Sequence, residues 1–81
     1  MATLRVLNQS GDQRISWSVD ALVQGDPEAE AAVREAERIF AAEARRGAAA
    51  FRVRPGEPAE RLTAFDPLNE DTILIPPMVG G

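Results

Sequence analysis

Along residues 3–7 and again along 14–19, apolar and polar side chains alternate with the two-residue period of a strand. Leu4 and Val6 point one way and Thr3, Arg5 and Leu7 the other. Ile15, Trp17 and Val19 oppose Arg14, Ser16 and Ser18 in the same manner. Between the two lies a polar run, Asn8-Gln9-Ser10-Gly11-Asp12-Gln13, with a glycine suited to a hairpin turn. The pattern predicts an antiparallel hairpin.

After Gln24-Gly25 the period changes from two to three and four. Asp26-Pro27 supplies an N-cap acceptor and then a proline at the first helical position. Ala29, Val33, Ala36, Phe40 and Ala44 form an apolar stripe, widened by Ala32 and Ile39. Glu28 and Glu30 in the first turn and Arg45 and Arg46 in the last complement the helix dipole. Glu30–Arg34 and Glu35–Arg38 stand at helical pair spacings on the other side, and Gly47 is placed to end the helix in the left-handed conformation. One amphipathic helix of about five turns is expected.

Residues 50–54 read as a third strand, with Phe51 and Val53 inward and Arg52 and Arg54 outward. Pro55-Gly56-Glu57-Pro58 is a turn cluster, residues 61–65 a short fourth strand, and residues 66–71 a loop. Thr72-Ile73-Leu74-Ile75 is the last strand, apolar and β-branched. A single helix must then cover one face of one mixed sheet, an α+β two-layer arrangement with the first and last strands adjacent at its centre. The expected core is Leu4, Val6, Ile15, Trp17, Val19, Val33, Ala36, Phe40, Phe51, Val53 and Ile73 or Ile75. The opposite face is expected to carry Arg5, Arg14, Arg52 and Arg54, with Leu7 and Leu74 among them: a basic surface with an apolar centre, suited to an acidic partner.

Composition narrows the chemistry. The 81 residues allow one small domain, and a net charge of −4 argues against general nucleic-acid or anionic-membrane binding. There is no cysteine and no histidine, which removes the thiolate nucleophile, the commonest general base and the commonest metal ligand. Asp12, Asp66, Glu70 and Asp71 stand in turns with nothing to pair them as acid and base, so no catalytic residue, metal site or cofactor is assigned. All nine basic residues are arginine, so no side-chain amine can accept an isopeptide bond. The start MATLRVL lacks the apolar core and cleavage site of a signal peptide, and no run approaches a membrane span; the expectation is a cytoplasmic protein without membrane contact.

The remaining stretch is Pro76-Pro77-Met78-Val79-Gly80-Gly81. Two prolines end the last strand, since neither has an N–H for the ladder, and they favour a stiff extended path. Residues 76–81 reach about 20 Å when extended. Gly80 and Gly81 carry no Cβ, so backbone and carboxylate can enter a slot too narrow for a side chain. The division is residues 1–75 as domain and 76–81 as a tail that presents a carboxylate.

The ββαββ order with Gly-Gly at the end resembles the β-grasp, ubiquitin-like superfamily. More specifically, FDPLNEDTILIPPMVGG, residues 65–81, resembles the end of the sulfur-carrier small subunits of molybdopterin synthase. There too an acidic turn, an apolar strand, Pro-Pro, two residues and Gly-Gly follow in that order. The match covers about a fifth of the chain. Residues 47–62 do not align with that subunit, and the rest agrees in element order alone.

The resemblance implies that an ATP-dependent adenylating enzyme of the ubiquitin-activating type activates Gly81. Sulfur then displaces AMP, giving a thiocarboxylate for a sulfur-transfer acceptor or a thioester that feeds conjugation machinery. In both cases the catalytic groups sit on the partner, and Pro76, Pro77, Met78 and Val79 position the reacting end. Three classes stand: a sulfur carrier, a ubiquitin-like protein modifier, and a β-grasp interaction module with an incidental Gly-Gly.

Overall fold

The computed structural model describes residues 1–7 and 11–77. Five strands, β1 (Ala2–Val6), β2 (Gln13–Trp17), β3 (Ala49–Arg52), β4 (Glu60–Leu62) and β5 (Asp71–Ile75), make one mixed sheet in the order β2-β1-β5-β3-β4. β1 and β5 pair in parallel at its centre, and the other neighbours are antiparallel. The long helix packs on one face, so the two-layer α+β arrangement holds. Asn8, Gln9 and Ser10 of the expected hairpin turn lie outside the described residues.

Among the described residues there are two helices, not one. The second strand stops at Trp17 because Ser18, extended at φ −86° and ψ 123°, caps a short helix α1 (Val19–Val23) by accepting from the Ala21 amide at 3.1 Å. Val19 therefore packs from a helix rather than a strand. The long helix α2 (Pro27–Arg45) begins where expected, with the Asp26 carboxylate accepting from the Ala29 amide at 3.1 Å and Pro27 in the first turn. It ends at Arg46 and Gly47, whose φ of +94° is the left-handed geometry glycine adopts without strain.

Ala29, Ala36, Ile39 and Phe40 are the buried residues of α2, while Val33 and Ala32 pack half-buried at the margin and Ala44 is exposed. Of the two pairs expected along its outer side, Glu35–Arg38 forms; Glu30 and Arg34 are not joined. Phe65, which the sequence placed in the fourth strand, instead turns in over the core. Its ring stands 5.9 Å from Trp17, edge-on, and 5.7 Å from Phe40. The Trp17 indole N–H donates to the Pro67 carbonyl at 3.0 Å, which ties the loop before β5 to the second strand.

Register decides which side of each strand faces α2. Leu4 and Val6 are buried, and they stand opposite Thr72 and Leu74 of β5; Leu74 in turn stands opposite Ala50 of β3. Residues opposite one another share a face, so Thr72, Leu74 and Ala50 form the centre of the core. Phe51, Val53, Ile73 and Ile75 were expected inward. The first three are half-buried and Ile75 is exposed, the whole set phased to the outer side. In β5 both parities are apolar, so alternation alone could not orient it; in β3 Phe51 and Val53 alternate with Arg52 and Arg54, and the pairing of Ala50 with buried Leu74 overrides that local pattern.

Candidate functional site

β5 is hydrogen-bonded on both sides, and the ladder runs one residue further where the Leu7 amide donates to the Leu74 carbonyl at 3.0 Å. Ile75 stands opposite Ala49, and the chain then enters Pro76, half-buried, and Pro77, exposed. Pro77 lies over the end of α2: a Cβ placed on Gly47 would sit 3.6 Å from its Cγ. The chain thus leaves the central strand beside the last helical turn, where Arg45 and Arg46 are exposed and Arg46 stands 3.6 Å from Glu43. Met78, Val79, Gly80 and Gly81 lie outside the described residues.

The expected partner surface is redistributed. Arg5 and Arg14 are directly opposite each other on the outer face, and Leu7 is half-buried at the end of β1. Leu74 is removed from the surface altogether, fully buried under α2 because its partners Val6 and Ala50 face inward. Arg52 shares the inward parity of Ala50. It lies at the helix-side margin with its side chain 25% exposed, paired with Glu60 across β3 and β4. Arg54 follows in the turn, 3.9 Å from Glu57, and belongs to no strand.

Three residues absent from that expected set take their place. The register runs Arg14–Arg5–Ile73–Phe51–Arg61 in one row across all five strands. The Arg61 guanidinium lies over the Phe51 ring, 5.9 Å from its centre. In the neighbouring row the Thr3 and Ser16 hydroxyls meet at 3.2 Å, with Asp71 opposite Thr3. Finding this row from sequence needs four strand pairings, a longer-range signal than alternation within one strand.

Arg38, Arg46, Arg52 and Arg54 each have a carboxylate partner, whereas among the described residues no carboxylate lies within 4 Å of Arg5, Arg14, Arg34, Arg45 or Arg61. The Arg38 side chain donates from Nε to Glu35 at 3.0 Å, which holds the Glu35 carboxyl below the usual glutamate range and raises Arg38. Asp66 accepts from the Leu68 amide at 2.9 Å and stabilises its own turn. No group of three or more acidic side chains among the described residues could hold a metal ion, and none of the described helices is long and apolar enough to cross a membrane.

No family model, curated protein or solved structure matches this chain.

Proposed function

We propose that the chain is a β-grasp, ubiquitin-like sulfur carrier whose Gly81 carboxylate, native or released by processing, is adenylated by a partner enzyme and converted to a thiocarboxylate. The observation that carries the reading is the path of β5. It lies at the centre of the sheet, parallel to β1, and runs directly into Pro76 and Pro77 ahead of Met78-Val79-Gly80-Gly81. An anchored central strand followed by two residues of fixed φ gives the reacting end a defined origin and direction. A mixed sheet under one long helix is consistent with a β-grasp-like fold.

The chemistry needs little from this chain. A carboxylate is a poor electrophile. Its oxygen attacks the α-phosphorus of ATP, pyrophosphate leaves, and an acyl-adenylate forms at Gly81. A persulfide supplied by the partner then adds to the carbonyl and expels AMP, and a second partner thiol attacks the resulting acyl disulfide, releasing the thiocarboxylate and leaving a disulfide on the partner. With no cysteine or histidine of its own, the carrier brings only the carboxylate, two residues without side chains and a four-residue spacer, a tail that reaches about 20 Å when extended.

Intact mass after purification from the native host tests this. The carrier reading expects a species heavier by the difference between sulfur and oxygen, located at Gly81 by fragmentation. Only unmodified chain in cells making sulfur-containing cofactors contradicts it, and slower-migrating adducts joined through Gly81 would make the chain a modifier instead.

A further inference from the structure

The sheet ends on β4 at one side and on β2 at the other. β4 is three residues long and carries Glu60 and Arg61, a short charged edge of the kind that resists pairing. β2 is five residues long, with Arg14 as its single charge. The ladders show which of its backbone groups face outward. The Thr3 and Leu7 amides donate to the Glu70 and Leu74 carbonyls of β5. Thr3, Arg5 and Leu7 thus turn their backbone groups to β5, and Ala2, Leu4 and Val6 turn theirs to β2. Opposite those three stand Trp17, Ile15 and Gln13, which complete the ladder. Arg14 and Ser16, both exposed, therefore point their amides and carbonyls away from the sheet. Among the described residues none of these four groups has a backbone partner outside it.

We propose that β2 pairs antiparallel with β2 of a second copy of this chain, about a twofold axis at Ile15, and so joins two five-stranded sheets into one. Arg14 then stands opposite Ser16 of the partner subunit, and Ser16 opposite Arg14 of the partner subunit. The two amides and two carbonyls of each edge close into four hydrogen bonds with none left over. Ile15, half-buried and on the inner side with Leu4, meets Ile15 of the partner subunit in the pair without hydrogen bonds, where side chains approach most closely. Charge and α1 single out this register. An axis at Arg14 would set two arginines directly opposite each other, which destabilises a strand pair. An axis at Ser16 would set Arg14 against Ser18, whose carbonyl already accepts from the Leu22 amide at 3.0 Å. The contact uses the same surface on both copies, so association stops at two. One short strand is a small interface, which makes the dimer a weak one. β5 runs antiparallel to β2, so the prolines of the two copies leave at opposite ends, clear of the joined edges.

Sedimentation velocity of the full chain from micromolar to millimolar concentration, with amide hydrogen exchange at both ends of the range, tests the pairing. The chain should pass from monomer to dimer, and the Arg14 and Ser16 amides should gain protection as it does. The Arg61 amide is the internal reference. Val53 donates to Asp71 of β5, so Arg52 and Ala50 face β4, and Arg61 between their partners faces outward. Its exchange should not change with concentration. In a mixture of isotope-labelled and unlabelled chain, the α-protons of the two Ile15 residues should give an intermolecular contact, the mark of this register. Ser16→Pro removes an outward amide without breaking the ladder to β1. It should weaken dimerisation about tenfold or more, the loss of two hydrogen bonds per dimer. Arg61→Pro makes the same change on the other edge and should leave dimerisation within about twofold of wild type.

A chain that stays monomeric at millimolar concentration overturns the proposal. So does a dimer in which Arg14 and Ser16 remain unprotected, or one weakened equally by Arg61→Pro. Unfolding curves establish that each variant is folded; if Ser16→Pro is not, the protection of the two amides and the Ile15 contact decide. Protection of Arg14 and Ser16 that appears only when another protein is added would give the edge to a foreign strand and overturn the pairing of two copies. Deleting Gly81 should leave the dimer unchanged, so the pairing and the carrier reading stand or fall separately.

Discussion

Pro77 rests over Gly47, with 3.6 Å between its Cγ and the place a glycine Cβ would occupy. The end of α2 and the start of the tail therefore meet at a residue whose φ is +94°. Alanine at position 47 would make an ordinary van der Waals contact with Pro77 but would be held in a left-handed backbone conformation. Gly47→Ala should cost about 1 kcal/mol, a fall of about 4–8 °C in melting temperature for a domain of this size. Activation of the tail should be unaffected. A larger loss of stability, with weakened activation, would show that the contact also aims the tail.

The phase of β5 is tested by truncating two neighbours. Leu74 is fully buried, so Leu74→Ala should cost about 2–5 kcal/mol. Ile75 is 42% exposed on the other side, and Ile75→Ala should cost under about 1 kcal/mol. Denaturant unfolding of the two variants settles the order. A costlier Ile75→Ala would reverse the facing of the strand.

That pair also marks where the sequence was legible. In β1 and β2 only one parity is consistently apolar, and in α2 the stripe and both caps agree, so these elements could be placed from the chain alone. In β5 both parities are apolar, and in β3 the alternation of Phe51 and Val53 with Arg52 and Arg54 points the wrong way. Orientation there follows from Leu4 and Val6 through the register to Thr72, Leu74 and Ala50, a relationship between paired residues up to 68 apart. The same hidden register concealed the row ending in Arg61 and misplaced Arg52. Helix α1 was missed because Ser18-Val19 continues the alternation of β2; the capping bond to Ala21 that ends the strand carries no apolar signal. The order of elements and the β5-to-proline transition were readable, because proline acts locally.

The aromatic cluster makes a second claim about the fold. Phe40 is a buried part of α2, and Phe65 joins it to Trp17. Phe40→Ala should cost about 3–5 kcal/mol, enough to leave a small domain largely unfolded at elevated temperature. Phe65→Ala, which removes a half-buried ring, should cost about 2 kcal/mol. It should also expose the Trp17 indole, read as a red-shifted emission. An unmoved emission spectrum would show that Phe65 does not close this side of the core.

Glu35 gives a pH prediction. The hydrogen bond from Arg38 lowers its pKa, so the native state favours the ionised form. The stabilisation is fully present above the ordinary glutamate range and is lost as pH falls through the lowered value. Arg38→Gln should return the Glu35 titration, followed by carbon-detected NMR, to the usual glutamate range. Because the pair is exposed, the melting temperature at neutral pH should hardly change. No movement of the titration would show that the pair does not persist in solution.

The central claim is that Gly81 is the reacting residue, and ATP–pyrophosphate exchange with the adenylating enzyme tests it most directly. Deleting Gly81 leaves the new carboxylate about 3.5 Å short of the α-phosphorus, a misplacement large enough to lose an attacking geometry. Gly80→Ala adds a methyl group that a slot narrow enough to admit only glycine would reject. Neither change touches the described fold, which ends at Pro77. Wild type should support exchange, Gly80→Ala should be strongly impaired and the truncated chain should be inactive. Equal exchange by all three, or none by wild type, would contradict the account.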